Sequence, residues 1–246
     1  MKADHFDQQR LLTLADEDVA LTQLAHRRRT LPEAAAVEAA TEAERELSAQ
    51  LVRAETEARD LEREVKRMEA DVDVVRQRAA RDQQRLEAGG LPAREVTALQ
   101  HELDSLARRQ GDLEDQELDL MERQESADAV LAAAREGAEK ARADRERAEQ
   151  LRDDALADLA DATARHEAAR GEVAAGVPAP LLSLYDRIRT QTGTTGAALL
   201  KARQCQGCRI ELNGRDLAAV RNADPNEVVR CENCGRILIR NAESGL

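Results

Sequence analysis

Ala88-Gly89-Gly90-Leu91-Pro92 lies between two long stretches that share one repeating pattern, and its reading decides the architecture. Before it, Leu47, Leu51, Ala54, Ala58, Leu61, Val65, Met68, Val72, Val75 and Ala79 follow one another at alternating spacings of four and three, with Leu86 in phase beyond polar Asp82. After it, Val96, Leu99, Leu103, Leu106, Leu113, Leu120, Ala127, Leu131, Ala134, Ala138 and Ala141 keep the same rhythm, and Gln110, Glu117 and Gln124 fill the seam positions that lack an apolar residue. Apolar residues every 3.5 positions with charged flanks form the seam of helices wound on one another. Two glycines and a following proline stop one helix and start the next. The break is central, with arms of about 80 residues, each spanning on the order of 120 Å if helical throughout. The pattern predicts an antiparallel hairpin within one chain, in preference to a parallel dimeric coil with an interruption.

Working outward, Leu31-Pro32-Glu33 predicts a kink or a restart in the first arm, because proline cannot continue the hydrogen-bond ladder. The piece before it carries Leu11, Leu14, Leu21 and Leu24. Towards the end of the second arm the seam thins to Ala155, Ala162 and Ala169, which allow close approach but bury little. Gly171 and Gly176-Val177-Pro178-Ala179-Pro180 read as a linker. Leu181, Leu182, Leu184, Tyr185 and Ile188 then mark a short amphipathic helix, and residues 191–196 a loop. Residues 197–204 read as a strand leading into the cysteine region, with a helix as the alternative that their Leu and Ala allow. The sequence thus divides into a helical hairpin over residues 1–176, with its turn near 88–92 and a kink near 32, and a C-terminal part over 177–246.

Composition agrees with a coil. Charged residues make up 35% and aromatics 1%, Phe6 and Tyr185 being the only two; a chain dominated by Ala, Glu, Arg and Leu at this periodicity is a long-helix composition. The formal charge of −12 is uneven. Residues 1–180 carry 27 Arg+Lys against 42 Asp+Glu, a balance of −15, and residues 181–246 carry ten against seven, or +3. The long region should repel nucleic acid. No apolar run approaches the roughly 18 residues a membrane helix needs, and the first residues lack a signal-peptide core, so a cytoplasmic location without membrane contact is expected.

The only four cysteines are Cys205, Cys208, Cys231 and Cys234: two C-x2-C pairs with 22 residues between them. Two residues between thiolates let the backbone turn both sulfurs towards one ion, and a second such knuckle closes the tetrahedron, so the pattern predicts a C4 zinc ribbon with one structural zinc. Gly207 and Gly235 are expected to supply positive φ in the knuckles, and Ile210, Leu212, Ile237, Leu238 and Ile239 to form short strands. Two disulfides are the competing arrangement, disfavoured in a reducing compartment. A site closed by four protein ligands leaves no position for a catalytic water. His5, His26, His101 and His166 are scattered on helical stretches, no phosphate-cradling glycine loop occurs, and Arg27-Arg28-Arg29 reads as a solvated helix face; no enzyme is expected. The Gly-Gly turn also excludes a zinc hook at the hairpin tip.

The early leucine-rich helix running into Leu31-Pro32, the segment Val96-Thr-Ala-Leu-Gln-His-Glu102, Leu181-Leu-Ser-Leu-Tyr-Asp-Arg-Ile188, Cys205-Gln-Gly-Cys208 and Cys231-Glu-Asn-Cys-Gly-Arg-Ile-Leu238 together resemble the bacterial C4-type zinc-ribbon proteins with an N-terminal coiled-coil hairpin, often described as nucleic-acid-binding zinc-ribbon proteins. Members often carry tyrosine after that last leucine, where this chain has Ile239. The resemblance covers most of the chain. It implies a mainly α protein, a long antiparallel hairpin followed by a small zinc ribbon, with a noncatalytic role in binding RNA, DNA or transcription machinery. The ribbon would make that contact and the coil would act as spacer or docking arm. Candidate phosphate contacts are Lys201, Arg203, Arg209, Arg215, Arg221, Arg230, Arg236 and Arg240, with Lys201, Arg203, Arg209, Arg230 and Arg236 the leading ones. The alternative is a protein-interaction scaffold, which the acidic hairpin fits better. Monomer and homodimer both remain open at this level.

Overall fold

The computed structural model describes all 246 residues. The element order is α1 (His5–Arg29), α2 (Pro32–Glu87), α3 (Ala93–Ala175), α4 (Ala179–Thr192), β1 (Ala197–Lys201), β2 (Gln204–Cys205), α5 (Gly214–Asn222), β3 (Val229–Arg230) and β4 (Ile237–Ile239). The chain forms two compact units: Ala34–Glu149, and Met1–Glu33 together with Gln150–Leu246. Packing therefore divides the chain differently from the sequence boundary at 176/177, because α1 and the last part of α3 join the C-terminal residues.

In the unit Ala34–Glu149, α2 and α3 are joined at Gly89-Gly90, where both residues have positive φ (69° and 76°), a conformation cheap only for glycine. Ion pairs between the helices give the direction. Glu44 meets Arg145 (2.5 Å), Glu55 meets Arg135 (3.9 Å), Arg76 meets Glu114 (2.8 Å) and Arg78 meets Glu102 (2.6 Å), so the partner number falls as the first rises. This is the antiparallel hairpin the turn predicts. Its buried residues are Ala54, Ala58, Leu61, Val65, Val72, Val75, Leu106, Ala127 and Ala141, all on the seam read from the sequence. Leu61 clusters with Ala58 and Ala127, and Leu120 and Leu131 pack against them.

In the other unit, the break at Thr30-Leu31 ends α1, and Pro32 opens α2 in the first position, where a missing N–H costs nothing. The sheet order is β2-β1-β4-β3, with β1 and β4 parallel and both outer pairs antiparallel. Alternation along the central strands sends side chains to two cores. Ala197, Ile237 and Ile239 pack with Leu11, Leu14, Leu181, Tyr185 and Ile188 from α1 and α4. Ala198, Leu200 and Leu238 pack with Leu212, Leu217, Val220, Cys205 and Cys231. Helix α5 comes from the spacer between the knuckles and is capped by the Asn213 side chain, which accepts from the Asp216 N–H (2.9 Å). The N-terminus is stitched to this unit: Ala3 N donates to Asn226 O (2.8 Å), Val228 N donates to Met1 O (3.1 Å), and buried Gln8 donates to Ala3 O and Pro225 O.

Candidate metal centre and its surroundings

The strand read over residues 197–204 reverses at Ala202-Arg203, where both residues have positive φ (45° and 65°) and Lys201 pairs with Gln204. That is a two-residue hairpin turn of the kind usually built from Asn or Gly. The C-terminal residues hold it: Ala202 N donates to Glu243 O (2.8 Å), Arg203 N to Ser244 O (2.9 Å), and the fully buried Ser244 hydroxyl to Leu200 O (2.9 Å). The turn delivers Cys205, with no exposed surface, to the first knuckle.

The two knuckles repeat one hydrogen-bond scheme. Arg209 N donates to Cys205 O (2.7 Å) and Gly235 N to Cys231 O (2.8 Å); Cys205 N donates to Ile210 O (3.1 Å) and Cys231 N to Arg236 O (2.8 Å). The residue after the second cysteine is left-handed in both, Arg209 with φ 59° and Gly235 with φ 74°. The expectation of positive φ thus holds at Gly235 and fails at Gly207. Gly207 is required for space instead: a Cβ there would lie 2.6 Å from Arg236 Cδ and 3.0 Å from the Ala198 Cβ.

All four Sγ atoms lie within 4.8 Å of one another; Cys205 and Cys234 are 3.8 Å apart, Cys208 and Cys231 3.9 Å, and none is in a disulfide. A tetrahedron with metal–sulfur bonds of about 2.3 Å has edges of about 3.8 Å, so this cluster fits one zinc ion. Burial pushes the Cys205 thiol up to about 12 and raises that of Cys231. At Cys234 burial is outweighed by hydrogen bonds from the Arg236 N–H and side chain and from neighbouring thiols, and the thiol falls to about 7. A divalent cation supplies the charge that lets buried thiols ionise together.

The basic residues expected around the site differ in availability. Arg209 is exposed and free of ion pairs. Arg203 is exposed and donates through Nε to Gly245 O (3.2 Å); exposed Arg230 donates likewise to Gly235 O (2.8 Å). Lys201 is exposed and paired with Glu243 (3.1 Å). Arg236 departs from the expectation of a surface contact: only 9% exposed, it donates to the Thr195 carbonyl and hydroxyl (both 3.2 Å) and to the Thr194 hydroxyl (2.6 Å). Arg240 is likewise internal in function, donating to the carbonyls of Val220, Ala223, Asp224, Pro225 and Glu227 and so closing the end of α5.

A second constellation escapes the sequence. Asp18, with no exposed surface, accepts from Tyr185 Oη (2.7 Å) and Arg170 Nε (2.7 Å) and is ion-paired with Arg189 (Nε at 2.9 Å), and Arg170 also reaches Asp186 (2.7 Å). Burial first, then the bond to Asp18 and its charge, raise the Tyr185 hydroxyl far above the usual phenol range. Beside it, His166 Nδ1 lies 2.6 Å from Glu17 Oε2. These bonds and ion pairs tie α1, α3 and α4 together.

A coiled-coil hairpin with a four-cysteine ribbon defines an adaptor-like zinc protein. Residues 14–193 match the family described as a CT398-like coiled coil hairpin domain, and residues 204–238 match a C4-type zinc ribbon domain; the chain belongs to that hairpin family and carries that ribbon. The uncharacterized protein Rv2229c of Mycobacterium tuberculosis is 39% identical over 240 residues, covering 98% of each chain. A solved structure from Mycobacterium smegmatis is 35% identical, with a TM-score of 0.81 over 98% of this chain and 100% of that one. CT398 from Chlamydia trachomatis, 18% identical with a TM-score of 0.59 over 95% and 97% of the chains, shares the fold. No helix is long and apolar enough to cross a membrane.

Proposed function

We propose that this chain is a noncatalytic adaptor whose ribbon unit, with Cys205, Cys208, Cys231 and Cys234 ligating one zinc, docks on nucleic acid or transcription-associated machinery. The coil serves as spacer or docking arm. The observation that supports this most is the exposure of Arg203, Arg209 and Arg230 at the β1–β2 turn and the knuckles, in the one part of the chain whose formal charge is positive. Phosphate attraction is the main sequence-independent contribution to nucleic-acid binding and falls steeply with salt. With Arg236 and Arg240 committed to internal bonds, Arg203, Arg209 and Arg230 carry the contact, with Lys201 beside them. Titration of the zinc-loaded full chain with labelled oligonucleotides at rising salt tests it. Binding at low salt that is lost when Arg203, Arg209 and Arg230 are replaced together by alanine, with zinc retained, is the expected outcome. Absence of binding at low salt favours the protein-scaffold reading, which the −15 balance of residues 1–180 also fits.

A further inference from the structure

The two aromatic residues of the chain are used in opposite ways. Tyr185 is fully buried, with its hydroxyl on Asp18, whereas Phe6 is 71% exposed. Phe6 stands in the first turn of α1 and forms one wall of an open groove of about 650 Å³, lined also by Gln9, Arg10, Thr13, Ile239 and Asn241. The groove belongs to the ribbon unit: β4 supplies Ile239, and Asn241 sits in the C-terminal turn that holds the Ala202-Arg203 hairpin. The start of α1 that carries Phe6 is fixed, because Met1 and Ala3 are hydrogen-bonded to residues 226–228 and Asp4 caps α1 by accepting from Phe6 N (2.8 Å).

A single exposed apolar side chain is ordinary on a protein surface. Phe6 differs in its company. The His5 ring lies 6.1 Å away at 62°, the hydrogen bond between Gln9 Nε2 and His5 Nε2 (2.8 Å) holds both side chains beside it and leaves Gln9 Oε1 open as an acceptor, and the Asn241 side-chain Nδ2 has no hydrogen-bond partner in the chain. An aromatic face flanked by groups that can bond the edges of a planar heterocycle suits a nucleobase: stacking needs only a π-face and tolerates any base. A base within a duplex is already stacked and paired, so only an unpaired base can reach the ring.

We propose that Phe6 is a stacking platform for an unpaired nucleobase, and that the ribbon unit takes single-stranded nucleic acid in preference to duplex. This rests on the nucleic-acid reading above and deepens it: the exposed arginines attract the backbone, and Phe6 makes the contact that distinguishes a single strand. The test uses the zinc-loaded full chain with a fluorescein-labelled single-stranded 15-mer and its duplex, comparing Phe6→Ala, Phe6→Trp and the Arg203/Arg209/Arg230→Ala variant across salt concentrations. Phe6→Ala should weaken single-strand binding roughly ten-fold by the same factor at every salt, leave duplex binding unchanged, and be rescued by Phe6→Trp. The arginine variant should instead lose binding to the single strand and the duplex alike at low salt. Equal binding of Phe6→Ala and the unaltered chain to the single strand would overturn the stacking proposal while leaving the nucleic-acid reading intact. No binding of either oligonucleotide by the unaltered chain at low salt would overturn both. Circular dichroism and zinc content confirm that Phe6→Ala is folded, as its exposure implies.

Discussion

The hairpin unit Ala34–Glu149 and the ribbon unit hold themselves together by different means. The hairpin buries one row of side chains per helix, several of them alanine, and is stitched by ion pairs at its surface. Each part of it depends on its immediate neighbours across the seam. The ribbon unit has two cores on the faces of a four-stranded sheet, a cysteine cluster in one and a buried ion network beside the other. Its contacts join residues as far apart as Ala3 and Asn226. Damage should therefore stay local in the hairpin and spread through the ribbon unit.

The largest expected effect comes from the metal. Structural zinc contributes on the order of 10 kcal/mol to the folding of small zinc modules. Cys231→Ser should unfold the sheet and α5 while the hairpin unit keeps its helix. Circular dichroism combined with proteolysis of residues 181–246 checks this, and loss of most helix would contradict it. Acid should act in the same direction, since thiolates must be deprotonated to hold a metal: zinc release followed with a chromophoric chelator should rise as pH falls.

Next is the ion network. Asp18→Ala leaves the buried Tyr185 hydroxyl without its acceptor and removes the shared partner of two part-exposed guanidinium groups, and an unpaired buried donor of this kind costs about 1–3 kcal/mol. The loss should appear in the ribbon unit and spare the hairpin. If Asp18→Ala melts like the unaltered chain, the cluster does not tie α1 to α3 and α4. The same network sets an alkaline limit. The Tyr185 hydroxyl is held protonated in the folded state, so its contribution is complete below the ordinary phenol value of about 10 and is lost as pH rises above it. Tyr185→Phe should remove that part of the alkaline sensitivity.

In the hairpin, Leu61→Ala should cost about 2–4 kcal/mol, as for other buried leucines, because Ala58 and Ala127 are too small to close the space. The smallest effect is at the surface. Replacing Arg135 and Glu55, whose ion pair is 3.9 Å long and solvent-exposed, should leave the melting temperature unchanged within error. A large effect there would mean the hairpin relies on its ion pairs more than on its seam.

The same contrast explains what the sequence made visible. A heptad seam is a local pattern, so the buried residues of the hairpin, from Ala54 to Ala141, could be named from spacing alone, and the turn at Gly89-Gly90 with them. The four cysteines were equally legible, because a tetrahedral ion imposes its own spacing. The Asp18 cluster was not: 152 residues separate Asp18 from Arg170 and 167 separate it from Tyr185, and no local rhythm links them. Arg236 and Arg240 read as surface charges because sequence shows an arginine and not the carbonyls it will meet. Helix α5 did leave a trace, since Asn213 and Asp216 make a cap and Leu217 and Val220 share a face. At Gly207 it is space and not φ that excludes a side chain, which spacing along the sequence does not show.

The most direct test is amide hydrogen exchange of the full chain with and without a zinc chelator. The contacts of Leu11 and Leu14 with Ile237 and Ile239 make α1 part of the ribbon unit although it is far from the cysteines in sequence. Removing the metal should therefore strip protection from β1, β4 and α5, and weaken it in α1 and α4, while residues 34–149 exchange as before. Unchanged protection in α1, or loss of protection along the hairpin, would contradict the division into one metal-dependent unit and one self-sufficient coil.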